Sequence, residues 1–365
     1  MELRSMFVTS LAITAVLFAG QAVCDDDHEA LLPQLPSSSL QVVSTVPPIG
    51  DLNPYGVAFV PHDFATGGTI HSGDVLVSNF NDAANLQGTG RTIVRITRGG
   101  VQSVFFQGEP GLGLTTALGI LRRGVVLVGN VPSTDGTFNT VQQGSLIAID
   151  RNGHEIAAFT DSTILDGPWD LTLLDFGKEA VVFVSSVLNG TVSRLRFGIS
   201  EDGEHIWLQD AALIALGYVH RGDPNAFVIG PTGLAFDRDH DLLYVASTGD
   251  NAIYAIERAR TRPEPARKGK LVYVDNAHLR GPLGLLLAPN GHLITTNGDA
   301  INGDPDFPSE MVEFTRSGKF VAQFSVETSG QGGAFGIALA VHEDVLRLAA
   351  VDDVVNTLEI WTVQN

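Results

Sequence analysis

Short, nearly continuous apolar runs alternate along the chain with turns rich in glycine, proline and asparagine, and one such unit recurs six times. It reads Asn53-Pro54-Tyr55-Gly56-Val57-Ala58-Phe59, Thr116-Ala117-Leu118-Gly119-Ile120-Leu121, Gly167-Pro168-Trp169-Asp170-Leu171, Gly230-Pro231-Thr232-Gly233-Leu234-Ala235-Phe236, Gly281-Pro282-Leu283-Gly284-Leu285 and Gly333-Ala334-Phe335-Gly336-Ile337-Ala338. With Gly56, Gly119, Asp170, Gly233, Gly284 and Gly336 as anchors, the intervals are 63, 51, 63, 51 and 52 residues. A second apolar run follows each unit, at 75–79, 125–130, 181–185, 243–247, 293–297 and 348–352. These runs do not alternate with polar residues, the pattern of a strand buried on both faces.

A third mark is an outer hairpin turn of the form Arg-x-Gly, at Arg98-Gly99-Gly100, Arg151-Asn152-Gly153 and Arg316-Ser317-Gly318. Two units replace it with Glu201-Asp202-Gly203 and with an insertion over 258–270. Four short strands in each of six units, with no helical stretch, predict an all-β six-bladed β-propeller of four-stranded blades around a central channel. The last unit lacks a strand. The segment 41–46 supplies it by pairing with 358–363, which closes the ring and covers an edge. The expected organisation is a signal peptide over 1–23, a flexible leader over 24–39 and the propeller over 40–365.

Composition sharpens this picture in three ways. Gly 40 and Pro 17 fit a turn-dense all-β chain. One cysteine, Cys24, excludes an internal disulfide, so packing alone must hold the ring. Lys+Arg 22 against Asp+Glu 41 gives a net charge of −19, which argues against nucleic acid and anionic membranes as partners. At the start, Arg4, an apolar run over 7–19 and the small residues Gly20 and Ala22 predict a secretory signal cleaved near Ala22, and hence an exported protein, periplasmic or secreted. Lipidation of Cys24 is the alternative fate of that terminus. No other apolar segment is long enough to predict a transmembrane span.

The blade form Pro-x-Gly-Leu-Ala-Phe followed by Leu-Tyr-Val-Ala-Ser-x-Gly-Asp-Asn-x-Ile, clearest at Gly233 through Ile256, resembles the NHL repeats and the wider six-bladed group of SMP-30 and gluconolactonase-like proteins. The resemblance spans nearly all of 40–363 and speaks for fold, not activity. It implies, for lactonase-like members, a divalent metal, usually calcium, held at the channel mouth by Glu, Asn and Asp side chains of the blade-start turns. Here Tyr55, Leu118, Thr232, Leu283 and Phe335 stand at those places, and only Asp170 falls near one. Lyase-type relatives imply a pair of channel histidines. His62, His240, His292 and His342 all follow the first strand of a unit, in the turn on the opposite face, and read as solvated turn residues. His220 with Arg221 and His278 with Arg280 precede blade-start turns, so they form either an acid–base or anion-holding edge of the mouth or a set of local hydrogen bonds.

Loops leaving the second strands are rich in Asn and Asp. Asn79, Asn130, Asp170, Asn297 and Asp352 are the candidate ligands for a hard cation such as Ca²⁺, the competing reading being ordinary turn chemistry. Asp170, His220, His278 and Arg280 are the candidate catalytic groups. Trp169 serves either as the floor of a sugar or aromatic pocket or as a ring wedged between blades. The basic cluster over 258–270 reads as a solvated hairpin. No nucleophile elbow, zinc spacing or phosphate-cradling loop occurs, and neither a nucleotide nor a flavin is expected. The leading expectation is a monomeric exported propeller that binds a small molecule, carbohydrate or protein at its channel mouth, with calcium as the cofactor considered. A metal-dependent lactonase-like hydrolase or lyase and a non-catalytic interaction scaffold are the alternatives.

Overall fold

A computed structural model describes residues 29–298, 301, 306–330 and 333–364. The chain opens with a 3-10 helix, Leu32–Ser37, and a strand β1 (Ser39–Ser44). Blade 1 follows as β2 (Leu52–Phe59), β3 (Val75–Asn81), β4 (Thr92–Ile96) and β5 (Gln102–Gln107). Blade 2 is β6 (Leu114–Leu121), β7 (Val125–Asn130), β8 (Ser145–Asp150) and β9 (Glu155–Phe159). Blade 3 is β10 (Pro168–Asp175), β11 (Glu179–Ser186), β12 (Thr191–Ile199) and β13 (Ile206–Leu216), after which a small hairpin, β14 (Arg221–Asp223) and β15 (Phe227–Ile229), interrupts the pattern. Blade 4 is β16 (Pro231–Asp237), β17 (Leu242–Ser247), β18 (Ala252–Glu257) and β19 (Lys270–Tyr273), and blade 5 is β20 (Pro282–Leu287), β21 (Leu293–Asn297), β22 (Glu310–Phe314) and β23 (Phe320–Ser325). Blade 6 has β24 (Ala334–His342), β25 (Val345–Asp352) and β26 (Thr357–Gln364) from the C-terminus, and β1 as its fourth strand.

The six-bladed ring and its closure by an N-terminal strand are as the periodicity predicts, with the closing strand two residues earlier than expected, at 39–44 rather than 41–46. β1 runs antiparallel to β26 in the register Ser39↔Thr362 through Ser44↔Thr357. The innermost strand of every blade breaks register near its start, for example between Pro54 and Val57 and between Pro282 and Leu285. This bulge gives the blades a shared fastening. The Gly56 N–H donates to the Ser78 hydroxyl (2.9 Å), which donates to the Thr115 carbonyl of the next blade (2.8 Å). Gly284, Thr296 and the Phe335 carbonyl repeat the relay at 2.7 and 2.8 Å. Asp170, Ser185 and the Thr232 carbonyl repeat it at 3.1 and 2.7 Å. Each link satisfies buried backbone groups that the bulge would otherwise strand.

Glycine is required where blades touch at this point. A Cβ on Gly336 would stand 2.1 Å from the Tyr55 carbonyl, and one on Gly233 would stand 2.2 Å from that of Leu283. In blade 2 the corresponding residue is Ala117, not Gly119, because Leu118 pairs with Val128 as Val57 pairs with Val77. Between the bulges, large apolar clusters fill the spaces from blade to blade, with Leu127, Val182 and Phe197 in one and Val312, Phe314 and Tyr244 in another.

The leader expected to be flexible is docked from Leu31 onward. Leu31, Leu32 and Leu35 are buried against Leu286, Met311 and Trp361 of blades 5 and 6. Their anchor is the Glu313 carboxylate, wholly buried, which accepts the N–H groups of Leu31 (2.9 Å) and Leu32 (2.9 Å). Asn290 Nδ2 (3.0 Å) and His292 Nδ1 (2.8 Å) meet the same carboxylate. His292 is thus buried at 2% exposure rather than a solvated turn residue. The signal segment 1–23 and Cys24 lie outside the described residues.

Candidate functional site

Two ends of the central channel differ sharply. At the blade-start mouth, where a polar ring of Asn and Asp was expected, aromatic side chains meet on the axis. Tyr55 stacks on Phe80 (ring centroids 4.5 Å) and packs on Phe335 (4.4 Å), while Trp169 presents an edge to Tyr55 (5.7 Å) and to Phe80 (5.5 Å). Phe227, from the β14–β15 hairpin, closes on Phe80 at 5.6 Å. Val131, Val187, Val228 and Leu283 complete this plug. It forms because the residue before the bulge position is Tyr55, Trp169 and Phe335 in three blades, and those side chains have nowhere to go but the axis.

Above the plug lies a cleft of about 80 Å³, floored by Tyr55, Trp169 and Phe335 and rimmed by Asn53, Gln87, Asn225 and Asp353. Asn53 holds a left-handed backbone (φ 59°), its N–H is fixed by Asn356 Oδ1 (2.7 Å), and its own Oδ1 is buried without a hydrogen-bond partner. Gln87 Nε2 donates to the Asn225 carbonyl (3.3 Å), which ties the inserted hairpin to blade 1. Sequence reasoning gave no site role to Phe80, Phe227, Asn53 and Asn225. The available signal was the aromatic at the same repeat position in three units.

The five candidate cation ligands each sit in a different blade, and each makes hydrogen bonds of its own. Asn79 donates to the Thr45 carbonyl and the Thr92 hydroxyl, both at 3.1 Å. Asn130 accepts the N–H and hydroxyl of Ser145 (2.8 and 2.7 Å). Asn297 accepts the Arg280 N–H (2.9 Å) and donates to the His278 carbonyl (2.8 Å). Asp352 accepts the N–H of Val354 (2.9 Å) through one oxygen. These amides finish strand ends in the way turn residues do, and among the described residues no cluster of three or more His, Cys, Asp or Glu side chains suits a metal ion.

Asp170 stands below the plug and lines a channel of about 350 Å³ with Leu171, Leu234 and Ile120. Its carboxylate wedges between blades 3 and 4, accepting the N–H of Leu171 (2.7 Å) and, across the seam, that of Leu234 (3.1 Å). Burial pushes its pKa well above the usual carboxylate range, against the pull of those two N–H groups. The other catalytic candidates are elsewhere. His278 bonds Asp275 (2.5 Å) and stacks on Phe320 of the outermost strand of blade 5 (3.7 Å). Arg280 Nη2 reaches the Ala277 carbonyl (3.2 Å), and His220 turns back on the Tyr218 carbonyl (3.0 Å). Asp170, His220, His278 and Arg280 are therefore not one constellation, although Asn297 holds the backbone of His278 and Arg280 together.

Glu359, buried beside Asp352 on the last blade, gives a pH test of this region. Burial first, then the charges of Asp352 and Glu327, raise its pKa from 4.5 to about 7. The protonated carboxyl is favoured in the folded state, so its contribution is full below about pH 4.5 and is lost as pH rises through about 7. Glu359→Gln is expected to raise the melting temperature at pH 8 and to flatten its decline between pH 5 and 8. The gain at pH 8 is on the order of 2 kcal/mol. A variant that melts in parallel with the wild type across that range would refute the assignment.

No family model matches the chain, and no curated protein matches it. Solved structures do. The α-L-arabinofuranosidase of Fusarium graminearum in complex with an iminosugar inhibitor is 12% identical, covers 88% of this chain and 97% of its own, and superposes with a TM-score of 0.53. Regucalcin of Agrobacterium tumefaciens, described as a calcium-binding protein, is 14% identical over 88% of this chain and 95% of its own, with a TM-score of 0.51. A luciferin-regenerating enzyme is 9% identical over 90% and 96%, with a TM-score of 0.50. The likeness is one of fold: a six-bladed β-propeller.

Proposed function

We propose that this is an exported binding propeller that holds a small neutral polyhydroxylated ligand, a sugar ring, in the cleft above the aromatic plug. The observation that carries the reading is the pairing of an aromatic floor, Tyr55, Trp169 and Phe335, with the amide-bearing residues Asn53, Gln87 and Asn225 at the rim. Aromatic faces take the C–H side of a sugar, and amides exchange hydrogen bonds with its hydroxyls. A cleft of about 80 Å³ has room for roughly six waters, comparable to one ring rather than an extended chain. Among the described residues, Asp353 is the one charged group that lines this mouth, which suits a neutral ligand. The arabinofuranosidase in complex with an iminosugar supports the reading as a propeller of this fold that carries a sugar mimic. Export rests on the apolar leader at 1–23, and among the described residues no helix is long and apolar enough to cross a membrane.

Trp169 makes the test direct. In a Trp207→Phe background, which removes the exposed indole, neutral mono- and disaccharides are expected to change the tryptophan fluorescence saturably. Asn225→Ala should weaken that response several-fold while leaving the melting temperature alone. A flat titration across the panel would reject the reading. Turnover of a lactone panel that disappears with chelator would replace it with the hydrolase alternative.

A further inference from the structure

A third cavity, of about 580 Å³, opens on the face opposite the aromatic plug, at the seam where blade 6 meets blade 1. Its walls carry Phe59, His62, Arg98, Ala340, His342 and Arg347. In a chain of net charge −19, a cavity holding two arginines and two histidines needs an explanation.

The ring supplies its own control in the seam between blades 4 and 5. Arg316, in the Arg-x-Gly turn of blade 5, donates through Nε to the Gly291 carbonyl (3.0 Å) and through Nη1 to Asp237 of blade 4 (2.8 Å). Arg98 is the same residue of the same turn in blade 1. It lies against Gly73 as Arg316 lies against Gly291, its Nε 2.6 Å from where a Cβ on Gly73 would stand. The partner differs. Leu234↔Val245 in blade 4 matches Ile337↔Ala350 in blade 6, which makes Ala340 the counterpart of Asp237 and Arg347 the counterpart of Leu242. Where one seam places an acid, the other has a methyl group. Where one places leucine, the other adds a second guanidinium.

Arg98 consequently has no side-chain hydrogen bond or ion pair among the described residues. Arg347 Nη1 donates to the Gly73 carbonyl (2.9 Å), and its guanidinium lies over the Phe59 ring at 5.0 Å, which fixes the plane of the fork and leaves further N–H groups. Burial and the charge of Arg98 push the Arg347 pKa down, against a weaker opposing pull from Asp74. His62 and His342 meet edge to face at 3.9 Å and add ring N–H donors. The acids nearby do not neutralise the pair. Asp74 is engaged by Arg95 at 2.6 Å, and Glu343 is exposed on the rim.

We propose that this groove binds the phosphate group of a small ligand. Donors reach it from four separate segments of two blades, which suits a tetrahedral anion with acceptor oxygens on every side; a planar carboxylate needs only one arginine fork. The site is independent of the sugar cleft, which lies beyond the plug. Titration of the full chain with inorganic phosphate, followed by calorimetry and by ³¹P line width, should show saturable binding. Arg98→Ala, which breaks no hydrogen bond, and Ala340→Asp, which installs the acid that blade 4 carries, should each weaken it at least tenfold without changing the melting temperature. Lys270→Ala, on the outer strand of blade 4, should leave it unchanged. Phosphate binding that survives both substitutions, its absence in the wild type, or succinate binding as tightly as phosphate would each overturn the assignment.

Discussion

Glu313→Ala is expected to destabilise the folded chain by about 3–5 kcal/mol, the range for removing one partner of a buried ionic and hydrogen-bonded cluster. The buried carboxylate collects the N–H groups of Leu31 and Leu32, the amide of half-buried Asn290 and the buried imidazole of His292. Alanine would leave the buried N–H groups of Leu31 and Leu32 and the His292 imidazole without this acceptor, while Asn290 keeps its bond to the Glu29 carbonyl (2.9 Å). It would also release the 3-10 helix, whose Leu32 and Leu35 cover Met311 and Trp361. Two measurements separate the effects. Denaturant unfolding should report the loss of stability, and limited proteolysis should show new cleavage within residues 29–38. Glu313→Gln should fall between, since an amide keeps one acceptor oxygen but turns a donor toward the others. A Glu313→Ala chain within 1 kcal/mol of the wild type and still protected at 29–38 would show that this carboxylate does not anchor the segment.

That anchor could not be read from sequence, and the reason is physical. Two turns of 3-10 helix give residues 31–37 only one i, i+3 apolar pair, Leu32 and Leu35, too short to show a period, and the acid that holds the segment lies 282 positions away. The ring itself was legible for the opposite reason. No blade can bury both of its faces alone, so the same apolar demand repeats at every unit, and the unpaired end of blade 6 calls for a strand that 41–46 has the pattern to supply. Blade 2 shows the limit of such anchors. Its Gly119 resembles the blade-start glycine, but the pairing of Leu118 with Val128 assigns that role to Ala117.

The mouth was misread at the level of which way adjacent side chains point. Asn79 and Phe80 are neighbours on β3, and alternation sends them in different directions. Asn79 turns into the blade, where the Thr45 carbonyl and Thr92 hydroxyl take its amide, and Phe80 turns to the axis. Counting Asn and Asp in these loops finds oxygen-rich segments without showing which way each side chain turns; Asn130 and Asn297 spend their oxygens on N–H groups, whereas Asn79 Oδ1 and Asp352 Oδ2 are buried without a hydrogen-bond partner among the described residues. The phosphate groove was hidden similarly. Arg98 and Arg316 are indistinguishable in their turns, and only the strand register reveals that one faces Asp237 and the other Ala340.

Phe80→Ala tests the plug, and its effect should rival that of Glu313→Ala. Phe80 is wholly buried and contacts Tyr55, Trp169 and Phe227, so its loss removes the ring around which the other three are arranged. Truncating a buried phenylalanine to alanine costs about 3–5 kcal/mol through lost transfer energy and the cavity left behind. Position adds a consequence that an ordinary core substitution lacks. The cavity would lie between the cleft above and the channel that holds Asp170 below, joining two spaces that the plug keeps apart. In a Trp207→Phe background, iodide or acrylamide should then quench Trp169 more strongly, and water reaching Asp170 should bring its raised pKa back toward the ordinary carboxylate range. Phe80→Leu refills part of the volume and should recover most of the stability and most of the protection of Trp169 from quencher. If Phe80→Ala lowered stability while quenching stayed at the wild-type level, Phe80 would be core filling alone, and Tyr55 with Trp169 would suffice to seal the axis.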